Sequence, residues 1–73
     1  MKGKKIFKLI QKPVKVGEEY EVTITEIGSK GDGIARIKNF VIFVPQTQKN
    51  DRVKIKIISV KRTFGIGEVI ERL

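Results

Sequence analysis

The sequence predicts a small all-β protein: an antiparallel barrel of five short strands preceded by a basic N-terminal arm. Three observations carry that expectation. From Glu19 onward apolar and polar residues alternate with a period of two, turn-forming Gly, Asn and Pro recur at short intervals, and the body shows no helical periodicity. Five short strands in about 55 residues favour a closed sheet, which also hides strand edges that would otherwise template aggregation.

The elements follow in order. Residues 1–16 read as the arm, in which Ile6, Phe7, Leu9 and Ile10 make one amphipathic turn or dock on the body, and Pro13 ends any helix. Residues 17–73 are the barrel. In its first strand Tyr20, Val22 and Ile24 share a face and are assigned to the core, with Glu21, Thr23 and Thr25 opposite. Residues 28–33 are a glycine-rich loop, residues 34–37 the second strand, Lys38-Asn39 a two-residue turn, and residues 40–44 the third strand. Asn tolerates the positive φ that such a turn demands. This hairpin sets Phe40 opposite Ile37 and Phe43 opposite Ile34, with Arg36 on the Phe43 side. Residues 45–50 are a polar connection. The fourth strand, residues 52–60, turns Val53, Ile55 and Ile57 inward, but Ile58 and Val60 occupy the other parity, so a bulge is expected near Ile57-Ile58. Lys61-Arg62-Thr63 links to the fifth strand, residues 64–70.

Composition narrows the function. Seventy-three residues make one small domain, whose core is expected to contribute only about 3–5 kcal/mol net. With no cysteine or histidine, a disulfide staple is excluded and a zinc cluster nearly so. No metal or cofactor site is expected, nor an enzyme, because acid–base and nucleophilic chemistry lack candidates. The basic start is interrupted by Lys8, Gln11 and Lys12 before any apolar stretch forms, so the chain is expected to be cytoplasmic, away from membranes.

Sixteen Lys and Arg against eight Asp and Glu give a net charge of +8, which points to a polyanionic partner. The distribution is uneven. Residues 1–17 carry Lys2, Lys4, Lys5, Lys8, Lys12 and Lys15 without an acid, so the body is only mildly basic. Between Gly28 and Pro45, three glycines, two strand cations and two phenylalanines follow one another closely. Glycine permits close backbone approach, cations attract phosphate, and rings stack on bases, a combination suited to single-stranded nucleic acid. The candidate contacts are Lys30, Arg36, Lys38, Phe40, Phe43, Lys61, Arg62 and Phe64. Arg36 is favoured because its planar guanidinium can stack as well as pair. Phe40 and Phe43 cannot share one face of a regular strand; Phe40, beside the hairpin tip, is the more easily exposed, and core packing is the rival role for both. Residues 28–33 are not a P-loop, since the Gly-Lys-Ser/Thr ending and a following helix are missing. Glu18, Glu19 and Glu21 read as a solvated strand start.

Residues 21–70 resemble a TRAM domain, a small RNA-binding barrel related to OB-folds that occurs fused to tRNA-modifying enzymes and as stand-alone archaeal proteins. The resemblance rests on Gly31-Asp32-Gly33-Ile34-Ala35-Arg36, on Phe40-Val41-Ile42-Phe43-Val44-Pro45, on Asp51-Arg52-Val53-Lys54-Ile55-Lys56-Ile57 and on Gly67-Glu68-Val69. Asn39 and Asn50 stand where the family often has glycine, and Asn is the next best residue for those turns. The resemblance implies a five-stranded OB-like barrel of the stand-alone form. It would be a cold-shock-like RNA chaperone that binds single-stranded or locally unpaired RNA, tRNA included, with low sequence specificity. A monomer without a small-molecule substrate is expected. The rival expectation is a structural accessory subunit of a ribosomal or tRNA-modification complex, docked through its sheet face.

Overall fold

The computed structural model describes residues 12–73, so expectations for residues 1–11 of the arm lie outside the described residues. Alternation from Glu19 builds β1 (Glu19–Thr23), and the chain continues through β2 (Glu26–Ile27), β3 (Gly33–Ile37), β4 (Phe40–Val44), β5 (Arg52–Val60) and β6 (Phe64–Arg72). All six join one sheet in the order β1-β5-β6-β4-β3-β2, an all-β, OB-like architecture.

The sixth strand, absent from the sequence reading, comes from a corner. β1 pairs with β5 and β2 with β3, and the change of partner occurs at two residues. Ile24 donates to the Asp51 carbonyl (2.9 Å) and accepts from the Asn50 amide (2.7 Å), whereas the next amide, Thr25, donates to the Ile34 carbonyl (2.9 Å). The two outer strands are therefore two halves of one bent segment, which curls the sheet. A second correction concerns direction. β4 and β6 pair in parallel, with Val41 opposite Phe64 and Phe43 opposite Ile66, because the chain reverses twice between them, once in the connection from β4 to β5 and once in the β5–β6 hairpin.

Turn chemistry fixes the remaining register. Lys38 and Asn39 have φ of 53° and 70°, the doubly positive conformation whose twist suits a two-residue hairpin. Phe40 then falls opposite Ile37 and Phe43 opposite Ile34, as the sequence predicts. Between β2 and β3, Gly31 donates to Gly28 (2.9 Å) and Gly28 to the Asp32 carbonyl (2.8 Å). Gly31 itself sits at φ 91°, the left-handed position that closes a three-residue hairpin loop. The expected bulge in β5 is present as a register shift between Ile57 and Ser59, which leaves Ile58 exposed. A second shift, between Lys54 and Ile55, was not foreseen.

The core comprises Val14, Val22, Ile24, Ala35, Ile42, Val44, Val53, Ile55 and Ile57, with Tyr20, Ile37, Phe40, Val60 and Val69 packed against it. Burying each Ile or Val side chain is worth about 1.5–3 kcal/mol gross. Val14, flanked by Pro13 and Lys15 and read as part of the arm, is only 2% exposed, so the packed chain begins before residue 17. Its apolar character was masked by the surrounding lysines. Phe40 faces inward and approaches Gly65, which corrects the expectation that it is the more easily exposed of the two β4 rings.

Gly33 holds the glycine-rich loop against the core. A Cβ there would lie 1.9 Å from Thr47 Oγ1 and 2.9 Å from Ile24 Cγ2. Thr47 is buried and donates to the Val44 carbonyl (2.8 Å), so it cannot simply swing aside. Gly33→Ala is expected to destabilise by about 1–3 kcal/mol through overpacking. Urea unfolding of Gly33→Ala and of the Gly33→Ala/Thr47→Ala pair tests this, with the second substitution relieving part of the penalty of the first.

Candidate nucleic-acid interface

The outer face of β3, β4 and β6 follows from register. One row across the strands reads Ile34, Phe43, Ile66 and Ser59, and the next reads Arg36, Val41 and Phe64. Lys61 extends the second row, since its amide donates to the Phe64 carbonyl (2.7 Å) where the β5–β6 hairpin turns. Neighbouring strands lie about 4.8 Å apart, so the first row is a mainly apolar strip ending in Ser59, and the second is an apolar pair with the cations Arg36 and Lys61 at its ends. Phe43 and Phe64 meet diagonally between the rows, their centroids 5.4 Å apart and their planes at 80°. Edge-to-face pairing suits the ring quadrupoles and fixes both orientations. Both rings remain half-buried.

A groove of about 390 Å³ opens beside this pair. Its apolar wall is Phe43, Pro45, Phe64 and Ile66, and its opposite wall is the hairpin loop of Gly28, Ser29, Lys30 and Asp32. Gly28 borders the ring: a Cβ there would sit 3.6 Å from Phe43 Cε1, an ordinary van der Waals contact. A more open recess of about 580 Å³ lies between β1 and β3, lined by Tyr20, Glu21, Thr23, Glu26 and Arg36 among others. It offers two carboxylates and one phenol but no pair of rings.

Charge is divided between faces. Arg52 pairs with Glu21 (3.7 Å), Lys54 with Glu19 (3.8 Å) and Arg72 with Asp51 (3.7 Å). Lys54 and Lys56 also lie opposite Glu71 and Glu68 across β5 and β6. The β1–β5–β6 surface is thus internally compensated. Lys30, Lys38, Lys61 and Arg62 make no ion pair among the described residues. Exposed pairs contribute little to stability; their effect here is to confine the uncompensated positive field to other parts of the surface.

The predicted contacts separate into three groups. Lys30, Phe43 and Phe64 line the groove, with Lys61 and Arg62 on the adjoining hairpin. Arg36 shares the outer face, as parity predicts, but lines the second recess and pairs with Glu26 at 3.6 Å. Lys38 occupies the β3–β4 turn, where its charge reaches Glu18; Phe40 faces the core. Sequence reasoning missed Asp32, Ile66 and Pro45 as groove residues. The alternation of Ile66 with Phe64 was a usable signal, but the parallel β4–β6 pairing that brings it to Phe43 has no local signature.

Glu18 anchors the turn before β1. Its Oε1 accepts from the Tyr20 hydroxyl and from the Lys15 amide. The Tyr20 hydrogen bond, then the Lys15 amide, hold its carboxyl below the usual carboxylate range, while the same bond to Glu18 raises the Tyr20 phenol.

A curled, six-stranded sheet with an aromatic groove beside its first hairpin loop defines a small OB-like β-barrel domain. The chain belongs to the TRAM domain family, whose model matches residues 13–70. An uncharacterized protein of Methanocaldococcus jannaschii is 55% identical over 58 residues, which cover 80% of this chain and 75% of that one. The ribosomal RNA large subunit methyltransferase E of Methanothrix thermoacetophila is 42% identical over 66 residues, covering 90% of this chain but only 26% of the relative. Among solved structures, the solution structure of a conserved protein of Methanococcus maripaludis superposes with a TM-score of 0.78 at 47% identity, covering 82% of this chain and 86% of that one.

Tyr20→Phe should return the Glu18 pKa toward the ordinary carboxylate range, as read by carbon-detected NMR titration. The sign follows from linkage: a carboxyl depressed in the folded state stabilises above its unfolded pKa, and that contribution is lost as pH falls through the folded value. The variant should therefore show a weaker loss of stability on acidification than the parent protein.

Proposed function

We propose that this protein binds single-stranded or locally unpaired RNA across the outer face of β3, β4 and β6, with little sequence preference, and loosens RNA secondary structure as a chaperone. The observation that carries the reading is the Phe43–Phe64 pair, two fixed rings 5.4 Å apart on the wall of a groove that also holds Lys30. Such rings replace base–base stacking, each worth about 1–3 kcal/mol on truncation. DNA stacking averages about 1.4 kcal/mol per step, so two ring contacts are comparable with the opening of a weak stem. Lys30, Lys61 and Arg62 draw in the backbone. Five-stranded barrels of this kind use this sheet face and its bordering loops for oligonucleotides. Membership of the TRAM family, and a relative named for methylating ribosomal RNA, support RNA as the polymer. The mechanism requires no catalytic group and operates in a monomer.

One observation favours a second reading, an accessory subunit of a ribosomal or tRNA-modifying complex. In the methyltransferase relative, a segment like this chain is about a quarter of a longer protein.

Fluorescence anisotropy with an unstructured labelled RNA separates the two. Under the first reading Phe43→Ala and Phe64→Ala each weaken binding about 5- to 150-fold, with circular dichroism confirming the fold. Unchanged RNA affinity in both variants would transfer support to the accessory role. If about four phosphates are neutralised, log K should fall against log salt with a slope near −3. Opening of a fluorophore–quencher RNA hairpin by the parent protein, and not by the two variants, tests the chaperone activity.

A further inference from the structure

Resting on that reading of the groove, we infer that Asp32 reads the Watson–Crick edge of a base stacked on Phe43 and favours guanine at that one position. Among the described residues, Asp32 is the only acidic one lining the groove. Its position is set by backbone geometry. The Gly28 amide donates to its carbonyl at 2.8 Å, and Gly28 in turn abuts the Phe43 ring. Asp32 immediately precedes β3, two residues before Ile34, which is paired directly with Phe43, and it lines the groove beside that ring. A base lying on the exposed surface of Phe43 therefore directs one edge toward the hairpin loop.

The chemistry of that loop is selective. An ionised carboxylate only accepts hydrogen bonds, whereas Ser29 and Lys30 beside it supply donors. Guanine presents two adjacent donors, N1–H and the N2 amino group, next to the acceptor O6. It alone satisfies a carboxylate twice and still offers an acceptor to Ser29 or Lys30. Adenine and cytosine offer one amino group beside a ring acceptor. Uracil sets one N3–H between two carbonyls, whose lone pairs face the carboxylate unfavourably. Edge recognition of this kind typifies the readout of unpaired RNA bases. It fits a binder that is otherwise indifferent to sequence, because a single preferred base would fix register without restricting the rest of the strand.

The test uses labelled oligouridines carrying one central U, C, A, G or inosine, titrated against the full chain, Asp32→Asn, Phe43→Ala and Lys49→Ala. The expected result is about five- to tenfold tighter binding of the G-containing strand than of the all-U strand. Inosine, which lacks the N2 amino group, should fall between them. Asp32→Asn should erase the difference and Lys49→Ala should keep it. Equal affinity for all five strands, or a guanine preference that survives in Asp32→Asn, would overturn the inference. If Phe43→Ala then still weakens all five strands alike, the stacking reading stands without base selection. If Phe43→Ala changes none of them, the groove is not the RNA site and both readings fall. Amide spectra of Asp32→Asn guard against misfolding of the loop.

Discussion

The corner at Ile24-Thr25 is the constraint on which the rest of the molecule depends. Ile24 satisfies both backbone groups against the connection before β5, while Thr25 turns to β3. The Ile24 side chain is fully buried. One peptide step thereby commits a single segment to two strands at opposite ends of the sheet. With β1 held on β5 and β2 on β3, a six-stranded sheet has to curl, and the curl gives it an enclosed aliphatic face and an outer face. Gly33 and Thr47 guard the same region: Gly33 admits Ile24 and Thr47 at distances no side chain would allow. Arg72 secures the connection from the other end by donating to the Gln46 carbonyl and pairing with Asp51.

Local chemistry was read well from the sequence because it is local. The Lys38-Asn39 turn, the pairing of Phe40 with Ile37 and the limits of β4 and β5 follow from alternation plus one turn dipeptide. The bulge at Ile58 was legible for the same reason, since a phase change in the apolar pattern has to be absorbed somewhere. What escaped was set by distant parts of the chain. Nothing near Glu26 announces a two-residue strand, because its existence depends on the corner and on the glycine-rich loop opposite. The parallel meeting of β4 and β6 likewise has no local cause.

The candidate site was legible to the same degree. Phe43, Phe64 and Lys30 could be named from their residue types and neighbours, and the hairpin register put Arg36 on the Phe43 side. Assigning Phe40 required knowing which face of β4 is the inner one. That was decided by Ala35 and Ile42 being sealed against each other, and the position of Phe40 beside the turn suggested the opposite. The pairing of Arg36 with Glu26 could not be read, because Glu26 belongs to the strand that the sequence did not reveal. Electrostatics had a similar blind spot. A mildly basic body suggests a diffuse field, yet acidic side chains on β1 and β6 flank the basic ones of β5 and leave the cations of the loops uncompensated.

Phe43 and Phe64 come from strands that touch only through the short parallel ladder of Val41, Ile42 and Phe43 with Phe64, Gly65 and Ile66. Neither ring has its neighbour until two hairpins, made separately, have docked side by side. Lysines and arginines attract polyanions whether or not the chain is folded, but the ring pair is a product of closure alone. On the proposed function, warming that parts this one seam would leave a cationic polymer that still clings to RNA without the ring pair meant to prise bases apart, so holding a transcript and remodelling it need not fail at the same temperature.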